Sequence, residues 1–383
     1  MSRALNQKLS QTSNQEFGAI ITRLIKNENL TRQEAKQAFV TVLNNEVTDM
    51  HQGAFLASLT AKGETKHEVA GAWEAIYNLD TTKVSLSNEI QAVDNCGTGM
   101  DTFKTFNIST AASIIAAAGG VPMSRHGARA ITSICGTVDL AEALGVDVEC
   151  TAQLVTKSIE TTGLGLFNGM SPEIHPKALG RILSQINFGS TLNIAASLAN
   201  PVLPSIGVRG VYSKEMIKPV ADVMREIGYK SAIVLHGTID NSDKGMDEAS
   251  VCGITYCSQI SEHGIKNFII DPKKLGIAVK DCNELAPEKE IQTESRRFVK
   301  LLNNQEKSAR KGAAILNAGL IFLASNKAAT LEASIEIAAK LLENGAAFET
   351  LKKWVQAQNT NPEKGLKTLH KLLEPNQTLC SKK

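Results

Sequence analysis

The chain has 383 residues, of which 43% are hydrophobic and only 4% are aromatic. This length is sufficient for two or three structural units whose core must be packed mainly with Ala, Leu, Ile and Val. The 41 basic and 39 acidic residues give a net charge of +2, which is too small to indicate a nucleic acid or a membrane as partner.

No uninterrupted apolar run approaches the roughly 18 residues that span a bilayer. The seven cysteines are scattered, odd in number and without Cys-x-x-Cys spacing. Such a pattern is typical of free thiols in a reducing compartment. We therefore expect a cytoplasmic protein, in which Cys96 and Cys135 contribute to apolar packing.

The N-terminal part of the chain is predicted to be helical. Residues 1–14 are polar and are expected to form a flexible extension, whereas apolar side chains recur with helical spacing in residues 15–84. Thr31 and Glu34 have the spacing of a capping box, and Thr48 or Asp49 opens another helix. The sequence therefore predicts a small all-helical N-terminal domain.

Residues 85–383 are predicted to form a larger α/β domain. Strand-like runs at 92–94, 121–123, 231–235 and 267–270 alternate with helical segments, the clearest at 108–118, 138–144, 175–193, 309–324 and 331–342. This alternation is typical of a mainly parallel central sheet covered by helices. The highly charged residues 288–305 predict a solvated connection or an exposed helix, and residues 374–383 a loose end.

A glycine-bearing turn, Gly-Thr-Gly at 97–99, follows the first predicted strand and precedes Asn-Ile-Ser-Thr at 107–110. Helix N-termini present unpaired N–H groups and a partial positive charge, so the backbone and the hydroxyls of Thr105, Ser109 and Thr110 can cradle a phosphate. The alternative is a helix cap and a tight turn without a ligand.

The same arrangement of turn, hydroxyl groups and helix start recurs after the second predicted strand. Arg125, His126 and Arg129 lie there beside the hydroxyls of Thr132, Ser133 and Thr137. Cations next to hydroxyl groups suit a ligand with several phosphates. A solvated basic run is the alternative, and for His126 a structural role is expected rather than proton transfer.

An adjacent acidic pair, Asp247 and Glu248, lies between Gly245 and Gly253. Magnesium prefers hard oxygen ligands and commonly bridges one or two carboxylates to substrate phosphates. The pair is therefore a candidate magnesium anchor. The alternative is a solvated helix N-terminus, where acidic side chains are favoured by the helix dipole.

These segments, in this order, resemble the anthranilate phosphoribosyltransferase family of tryptophan biosynthesis. The resemblance extends from Leu30 to Ala318. It is carried by Asn-Glu-Val-Thr-Asp at 45–49, Lys-Gly-Glu-Thr at 62–65, the Gly-Thr-Gly turn, Asn-Ile-Ser-Thr, His-Gly at 126–127, His-Pro at 175–176, Asn-Pro at 200–201 and Gly-Met-Asp-Glu at 245–248. Each motif is short, but their ordered set is specific.

The resemblance implies a nucleoside phosphorylase-like phosphoribosyltransferase fold, in which part of residues 170–195 joins the helical domain. It also implies Mg²⁺ as cofactor, a homodimer, and a site in the cleft between the domains. The expected substrate-binding residues are Gly97, Thr98, Gly99, Asp101, Thr105, Asn107, Ser109, Thr110, Arg125, His126, Gly127, Arg129, Ser133, Thr137 and Arg181. The expected metal ligands are Ser109, Asp247 and Glu248.

The implied reaction is displacement of pyrophosphate from the anomeric carbon of phosphoribosyl pyrophosphate by an aromatic amine. Its transition state resembles an oxocarbenium ion, so the protein needs to position the reactants and neutralise charge. We therefore expect binding residues rather than a catalytic nucleophile; local spacing supports no Ser-His-Asp or Cys-His arrangement.

Several positions depart from the family pattern, mainly on the acceptor side. Ala128 stands where the family has an asparagine, and Gln185 or its neighbours stand where it has the arginine that engages the anthranilate carboxylate; Arg181 is the nearest possible substitute. On the donor side, Arg125 replaces a lysine and Met100 replaces a glycine.

Three candidate functions are compatible with the sequence: phosphoribosyl transfer to anthranilate, transfer to another aromatic or heterocyclic amine, or nucleic-acid binding without catalysis. Retention of the phosphate and magnesium residues disfavours the third.

Overall fold

The structure is a computed structural model that describes residues 2–87, 89–130 and 135–374, with side chains described from residue 14 onward. The α-helices are α1 Ser2–Ile25, α2 Arg32–Leu43, α3 Asp49–Lys62, α4 Lys66–Leu79, α5 Ile108–Ala118, α6 Thr137–Leu144, α7 Ala152–Thr162, α8 Leu179–Leu183, α9 Thr191–Ala195, α10 Ile217–Glu226, α11 Ile291–Leu302, α12 Ala309–Ala324, α13 Leu331–Glu343, α14 Ala346–Ala357 and α15 Pro362–Leu373. The strands are β1 Val93–Gly97, β2 Met123–Gly127, β3 Leu164–Asn168, β4 Ile206–Gly210, β5 Ser231–Thr238, β6 Gly245–Met246, β7 Thr255–Ser261 and β8 Gly264–Ile270.

Helices α1 to α4 form the small helical unit. As predicted, Thr31 and Glu34 make a capping box at the start of α2, and Thr48 caps α3. Helix α1 begins at Ser2, so the segment expected to be a flexible extension is assigned as helix. The side chains of residues 1–13 lie outside the described part of the chain.

The two short helices α8 and α9 return to this helical unit. Their side chains Leu179, Ile182 and Leu192 are buried in the same apolar cluster as Phe39 and Phe55 of α2 and α3. The buried carboxylate of Asp80 accepts hydrogen bonds from the N–H groups of residues 178 and 179 at 2.9 and 2.7 Å. The chain is thus fixed at the point where it crosses back toward the first helices.

The large unit is built on an eight-stranded sheet with the order β3-β2-β1-β4-β5-β7-β8, in which β6 pairs with β5. Strands β1 to β5 are parallel to one another, whereas β6 and β7 pair with β5, and β8 with β7, in antiparallel fashion. The fold therefore has the predicted class: a small helical N-terminal domain and a large α/β domain with a mainly parallel sheet.

The predicted strands were only partly correct. The run at 121–123 ends where β2 begins, and β1 continues to Gly97 because Cys96 and Gly97 pair with β4. Strands β3, β4, β6 and β7 were not predicted. β3 and β4 are five residues long and contain glycine, which weakens a strand pattern.

The helices predicted at 309–324 and 331–342 are confirmed as α12 and α13. The charged segment at 288–305 contains α11, whose Phe298 and Leu302 are buried, so one face of this helix belongs to the core. The prediction of a helix throughout 175–193 was wrong for residues 175–178, which form turns before α8, and for residues 184–190, because Ser190 caps a new helix. The loose end predicted for 374–383 lies, after residue 374, outside the described residues.

Candidate active site

A cavity of about 310 Å³ lies at the carboxyl ends of β1 and β2. One side consists of the loops that follow these strands together with residues 247 and 248. The other side consists of residues within 183–197, which we call the return wall. In α/β sheets, ligands bind in crevices at the carboxyl ends of parallel strands, and this cavity has that position.

The loop after β1 is fixed by backbone hydrogen bonds to neighbouring segments. Thr98 N–H donates to the carbonyl of Gly210 at 3.1 Å, and Phe103 N–H to that of Gly245 at 2.9 Å. Gly99 and Met100 both have positive φ, +67° and +65°. A non-glycine residue in this left-handed region is uncommon, so the turn is shaped by its surroundings rather than by local preference.

Helix α5 begins beneath this loop without a capping side chain. Asn107 makes no cap hydrogen bond to the first turn of α5, and its Oδ1 is buried without a partner. The alternative of a simple helix cap is therefore not what the geometry shows. In the first turn, Ile108 N–H and Thr110 N–H donate to the carbonyls of Phe106 and Asn107 at 2.6 and 3.1 Å. The N–H of Ser109, which has no partner among the described residues, and the orphaned amide oxygen of Asn107 leave hydrogen-bonding capacity for a ligand.

Three carboxylates meet at the same loop. One oxygen from each of Asp101, Asp247 and Glu248 lies within 4.8 Å of the others. Asp247 accepts a hydrogen bond from Gly99 N–H at 2.7 Å, and Ser109 Oγ is 3.4 Å from Glu248 Oε1. The elements that bring them together are the loop after β1, the start of α5 and the segment after β6.

Electrostatic repulsion within this carboxylate cluster is only partly relieved. Burial and the neighbouring Asp247 raise the pKa of Asp101 to about 6, although Lys104 is 2.9 Å away. Burial, Asp247 and Asp101 raise the pKa of Glu248 well above its usual value, and Glu248 Oε2 is buried without a partner. Oxygen ligands with unmet charge and an orphaned oxygen are the chemistry that fits a hard divalent cation.

Arg125 places a buried cation beneath the loop. Its Nη1 donates to Thr110 Oγ1 at 2.6 Å, and its Nε donates to the carbonyl of Asn95 at 3.3 Å. Burial lowers the pKa of this guanidinium, which still carries its charge at neutral pH. Because Arg125 is only 3% exposed, it contributes a fixed positive charge and not a solvated basic run.

His126 and His175 form a buried pair with their Nε2 atoms 3.0 Å apart. Nδ1 of His175 also hydrogen-bonds the carbonyl oxygen of Asp80. Burial, and for His126 the neighbouring ring as well, lowers both pKa values, so the rings are neutral at physiological pH. The contact joins strand β2 to the segment before α8, which agrees with the structural role expected for His126.

The loop after β2 is less open to a ligand than its sequence indicated. Arg129 pairs with Asp139, Glu142 and Glu149 at 3.2, 2.7 and 3.0 Å. Its guanidinium is thus held by three carboxylates, although the residue lines the cavity. Ser133 lies outside the described residues.

The structure brings most of the predicted site residues to one cavity. Its lining includes Gly97, Thr98, Gly99, Asp101, Thr105, Asn107, Ser109, Thr110, Arg125, His126, Gly127, Arg129, Thr137, Asp247 and Glu248. Arg181 is absent from it, because its guanidinium donates to Gln52 Oε1 and to the carbonyl of Val42 at 3.0 and 2.9 Å. Ala128 lines the cavity, whereas Gln185 does not.

Sequence reasoning missed the return wall. Its lining residues are Leu183, Ile186, Asn187, Phe188, Gly189, Leu192, Asn193, Ala196 and Ser197. A signal was present: no charged side chain occurs between residues 182 and 208, in a chain that is 21% charged. Such a stretch indicates a buried or ligand-facing segment.

The cysteines give no sign of nucleophilic chemistry. Cys96 and Cys135 line the cavity, but burial raises the pKa of both thiols, to about 12 for Cys135. All six cysteines among the described residues are free, as expected; Cys380 lies outside this part. Within the same part of the chain, no helix combines the length and apolarity needed to cross a membrane.

The fold and the sequence are those of a glycosyl transferase. The sequence profile described as "Glycosyl transferase family, a/b domain" matches residues 89–348, and "Glycosyl transferase family, helical bundle domain" matches residues 19–79. Within this class, the chain belongs to the anthranilate phosphoribosyltransferase family. It is 33% identical to the anthranilate phosphoribosyltransferase of Methanothermobacter marburgensis, over 88% of this chain and 97% of the relative. It is 32% identical to that of Aquifex aeolicus, over 89% and 98%.

Solved structures of the same kind are similar over nearly their whole length. The crystal structure of the Thermus thermophilus enzyme has a TM-score of 0.79 and 27% identity, covering 88% of this chain and 99% of that one. The Saccharomyces cerevisiae enzyme in complex with PRPP and Mg has a TM-score of 0.78 and 21% identity, covering 90% and 98%. The latter likeness supports the fold alone.

Proposed function

We propose that this chain transfers the phosphoribosyl group of phosphoribosyl pyrophosphate (PRPP) to anthranilate, with release of pyrophosphate, in tryptophan biosynthesis. The names of its relatives support this reaction. The observation that carries it is the convergence of the uncapped start of α5, the buried Arg125 and the carboxylate cluster on one cavity. That combination suits a ligand that bears several phosphates and a divalent cation.

Magnesium is the cofactor that we assign to this reaction. Ser109, Asp247 and Glu248 are its proposed holders, and the cluster's unmet negative charge supports them. When bound, the ion neutralises the negative charge that develops on the departing pyrophosphate. Lys104, which pairs with Asp101, cannot provide this neutralisation alone, because it carries one positive charge beside three carboxylates.

The protein's own residues position the donor. The N–H groups at the start of α5, together with the hydroxyls of Thr105 and Ser109, bind phosphate oxygens and so hold the anomeric carbon toward the return wall. Arg125 adds a fixed positive field under the loop, and its contact with Thr110 Oγ1 orients that hydroxyl. None of these groups attacks the sugar, so positioning and charge neutralisation account for catalysis.

The assembly and location proposed for the enzyme follow the family. We assign residues 15–84 with part of 170–195 to the helical domain and residues 85–383 to the donor-binding domain. The packing of α9 on α3 and α4 supports the place of part of 170–195 in the helical domain, while the apolar cluster itself continues into α10 and β5. A homodimer in the cytoplasm is the proposed form. These assignments do not alter the chemistry of the cavity.

The test is turnover by the purified protein. PRPP, Mg²⁺ and anthranilate are combined, and the loss of anthranilate fluorescence is followed together with pyrophosphate release. The expected result is equal amounts of pyrophosphate and phosphoribosyl anthranilate, abolished by a chelator of divalent cations. Absence of both products, with PRPP binding demonstrated by calorimetry, would contradict the proposed function.

A further inference from the structure

The return wall differs in chemical character from the loops opposite it. Residues 182–208 include no Asp, Glu, Lys, Arg or His. The wall presents the apolar side chains of Leu183, Ile186, Phe188 and Leu192 to the cavity, together with the uncharged polar side chains of Asn187, Asn193 and Ser197. Phe188 remains 44% exposed, so the protein itself does not cover this large apolar group on the cavity rim.

Met100 extends the apolar surface from the opposite side. Its sulfur lies 2.0 Å from the position that a Cβ atom of Gly189 would occupy, so the thioether rests directly on the return wall. Met100 also lines the cavity, as does Ala128. The space between the loops and the return wall is therefore bounded largely by thioether, aliphatic and aromatic groups, and the polar side chains of the wall are uncharged.

The cations that line the cavity all lie on the loop side, and each has a protein partner. Lys104 pairs with Asp101 at 2.9 Å, Arg125 donates to Thr110 and Asn95, and Arg129 is held by three carboxylates. The undescribed residues 131–134 are Ile-Thr-Ser-Ile and carry no charge. Among the described lining residues, no cation stands on the return wall.

We infer that the acceptor half of this site takes uncharged arylamines as well as anthranilate, because it does not recognise the acceptor carboxylate through a cation. This inference rests on the proposed function. Burial of a carboxylate without a cationic partner is unfavourable, whereas a neutral ring gains from contact with the apolar side chains of the return wall. In the additional reaction the amine nitrogen bonds to the anomeric carbon, the bond from that carbon to pyrophosphate breaks, and the nitrogen loses one proton to solvent.

The direct comparison uses anthranilate and 2-aminobenzamide, in which an uncharged amide replaces the carboxylate. The value of kcat/KM is measured for each by pyrophosphate release with PRPP and Mg²⁺. We expect the kcat/KM for 2-aminobenzamide to be within about tenfold of that for anthranilate. Such a difference is smaller than the effect of losing one hydrogen bond to a charged group. A preference for anthranilate of about a hundredfold or more would overturn the inference.

A binding measurement separates this inference from the proposed function. The Kd of each amine is determined by calorimetry on the protein in the presence of pyrophosphate and Mg²⁺. No transfer can occur in this mixture because pyrophosphate carries no phosphoribosyl group. Similar Kd values without turnover of either amine would refute the proposed function but support the inferred acceptor chemistry. Binding of anthranilate alone would refute the inference, and binding of neither amine would refute both.

A substitution on the return wall provides the matched control. Leu183→Arg introduces a cation and is expected to raise the ratio of kcat/KM for anthranilate over 2-aminobenzamide by about tenfold or more. Leu183→Met keeps the volume and the lack of charge and is expected to leave the ratio within about twofold. An unchanged ratio in Leu183→Arg, with an unchanged circular dichroism spectrum, would show that the acceptor does not lie against the return wall.

Discussion

The carboxylate of Asp247 occupies the space in which a side chain of Gly97 would stand. Its Oδ2 lies 2.1 Å from the position of a Cβ atom on Gly97, and the same oxygen accepts the N–H of Gly99 at 2.7 Å. The glycine at the end of β1 is therefore required by a side chain that is distant in sequence. The loop after β1 and the carboxylate cluster therefore share one steric constraint, the lack of a side chain at residue 97.

Gly97→Ala is expected to displace Asp247 and to lower kcat/KM for PRPP by about a hundredfold, because a methyl group cannot coexist with the carboxylate at this distance. Steady-state kinetics and thermal unfolding of the variant check this. Gly53→Ala on α3, where no atom lies within 4 Å of the new Cβ, is the control and should retain activity with equal or higher stability. Activity within about twofold of the parent in Gly97→Ala would contradict the assignment.

The double substitution Asp247→Asn with Glu248→Gln is expected to abolish magnesium-dependent turnover. The variant should be at least as stable as the parent, since burial and mutual repulsion raise the pKa of Glu248 and of Asp101. Turnover across a Mg²⁺ titration and the unfolding temperature are measured together. Asp243→Asn, an exposed carboxylate in the same segment, should behave like the parent; unchanged turnover in the double variant would remove the metal assignment.

Substitutions of Arg125 test whether the shape of its guanidinium, in addition to its charge, matters for PRPP binding. A lysine at this position retains the cation but cannot contact Thr110 Oγ1 and the Asn95 carbonyl simultaneously. Arg125→Lys is expected to raise the KM for PRPP by about threefold to tenfold, and Arg125→Met by more than about thirtyfold. Initial rates at saturating anthranilate measure both; equal KM values in the two variants would show that the charge plays no part.

The buried Asp94 predicts an unusual pH dependence of stability. Burial raises its pKa to about 6 despite Arg209 at 3.1 Å, while the unfolded chain titrates near 3.8. Between these values the native state holds the proton more tightly, so this group's contribution to the free energy of unfolding falls as pH rises from about 4 to 6.

The variant Asp94→Asn should lack this contribution. Its free energy of unfolding relative to the parent is expected to increase by about 2 to 3 kcal/mol across that interval and then to level off. Urea unfolding at pH 4, 5, 6 and 7 measures the difference. A relative stability of the variant that falls with pH would mean that the Arg209 ion pair outweighs desolvation.

The loop side of the cavity could be predicted from the sequence because its residues cluster locally. The Gly-Thr-Gly turn, Ser109 and the pair Asp247 and Glu248 belong to short motifs with a physical reason for each residue type. The mainly parallel sheet followed similarly from alternating strand and helix patterns, although glycine-containing β3 and β4 gave too little pattern to identify.

The return wall could not be predicted from the sequence because its place in the cavity depends on long-range packing. Nothing local shows that Phe188 faces a cavity, or that Met100 rests on Gly189. Arg181 illustrates the converse, since a suitable charge nearby in sequence is directed to Gln52 instead. The position of Arg181 in the sequence, close to cavity-lining residues, does not determine where its side chain points from the short helix α8.

The return wall has a consequence for how this site can change. Substitution of a buried ion-pair partner leaves an uncompensated charge and typically costs several kcal/mol. The wall contains no ion-pair partner. Its side chains can therefore be exchanged without that penalty while the loops opposite keep their arrangement, except for Ser197, whose Oγ accepts a hydrogen bond from the buried Arg209 at 3.1 Å. For the proposed reaction, we therefore expect a library confined to residues 183–196 to alter which amine is accepted and to leave the donor chemistry in place.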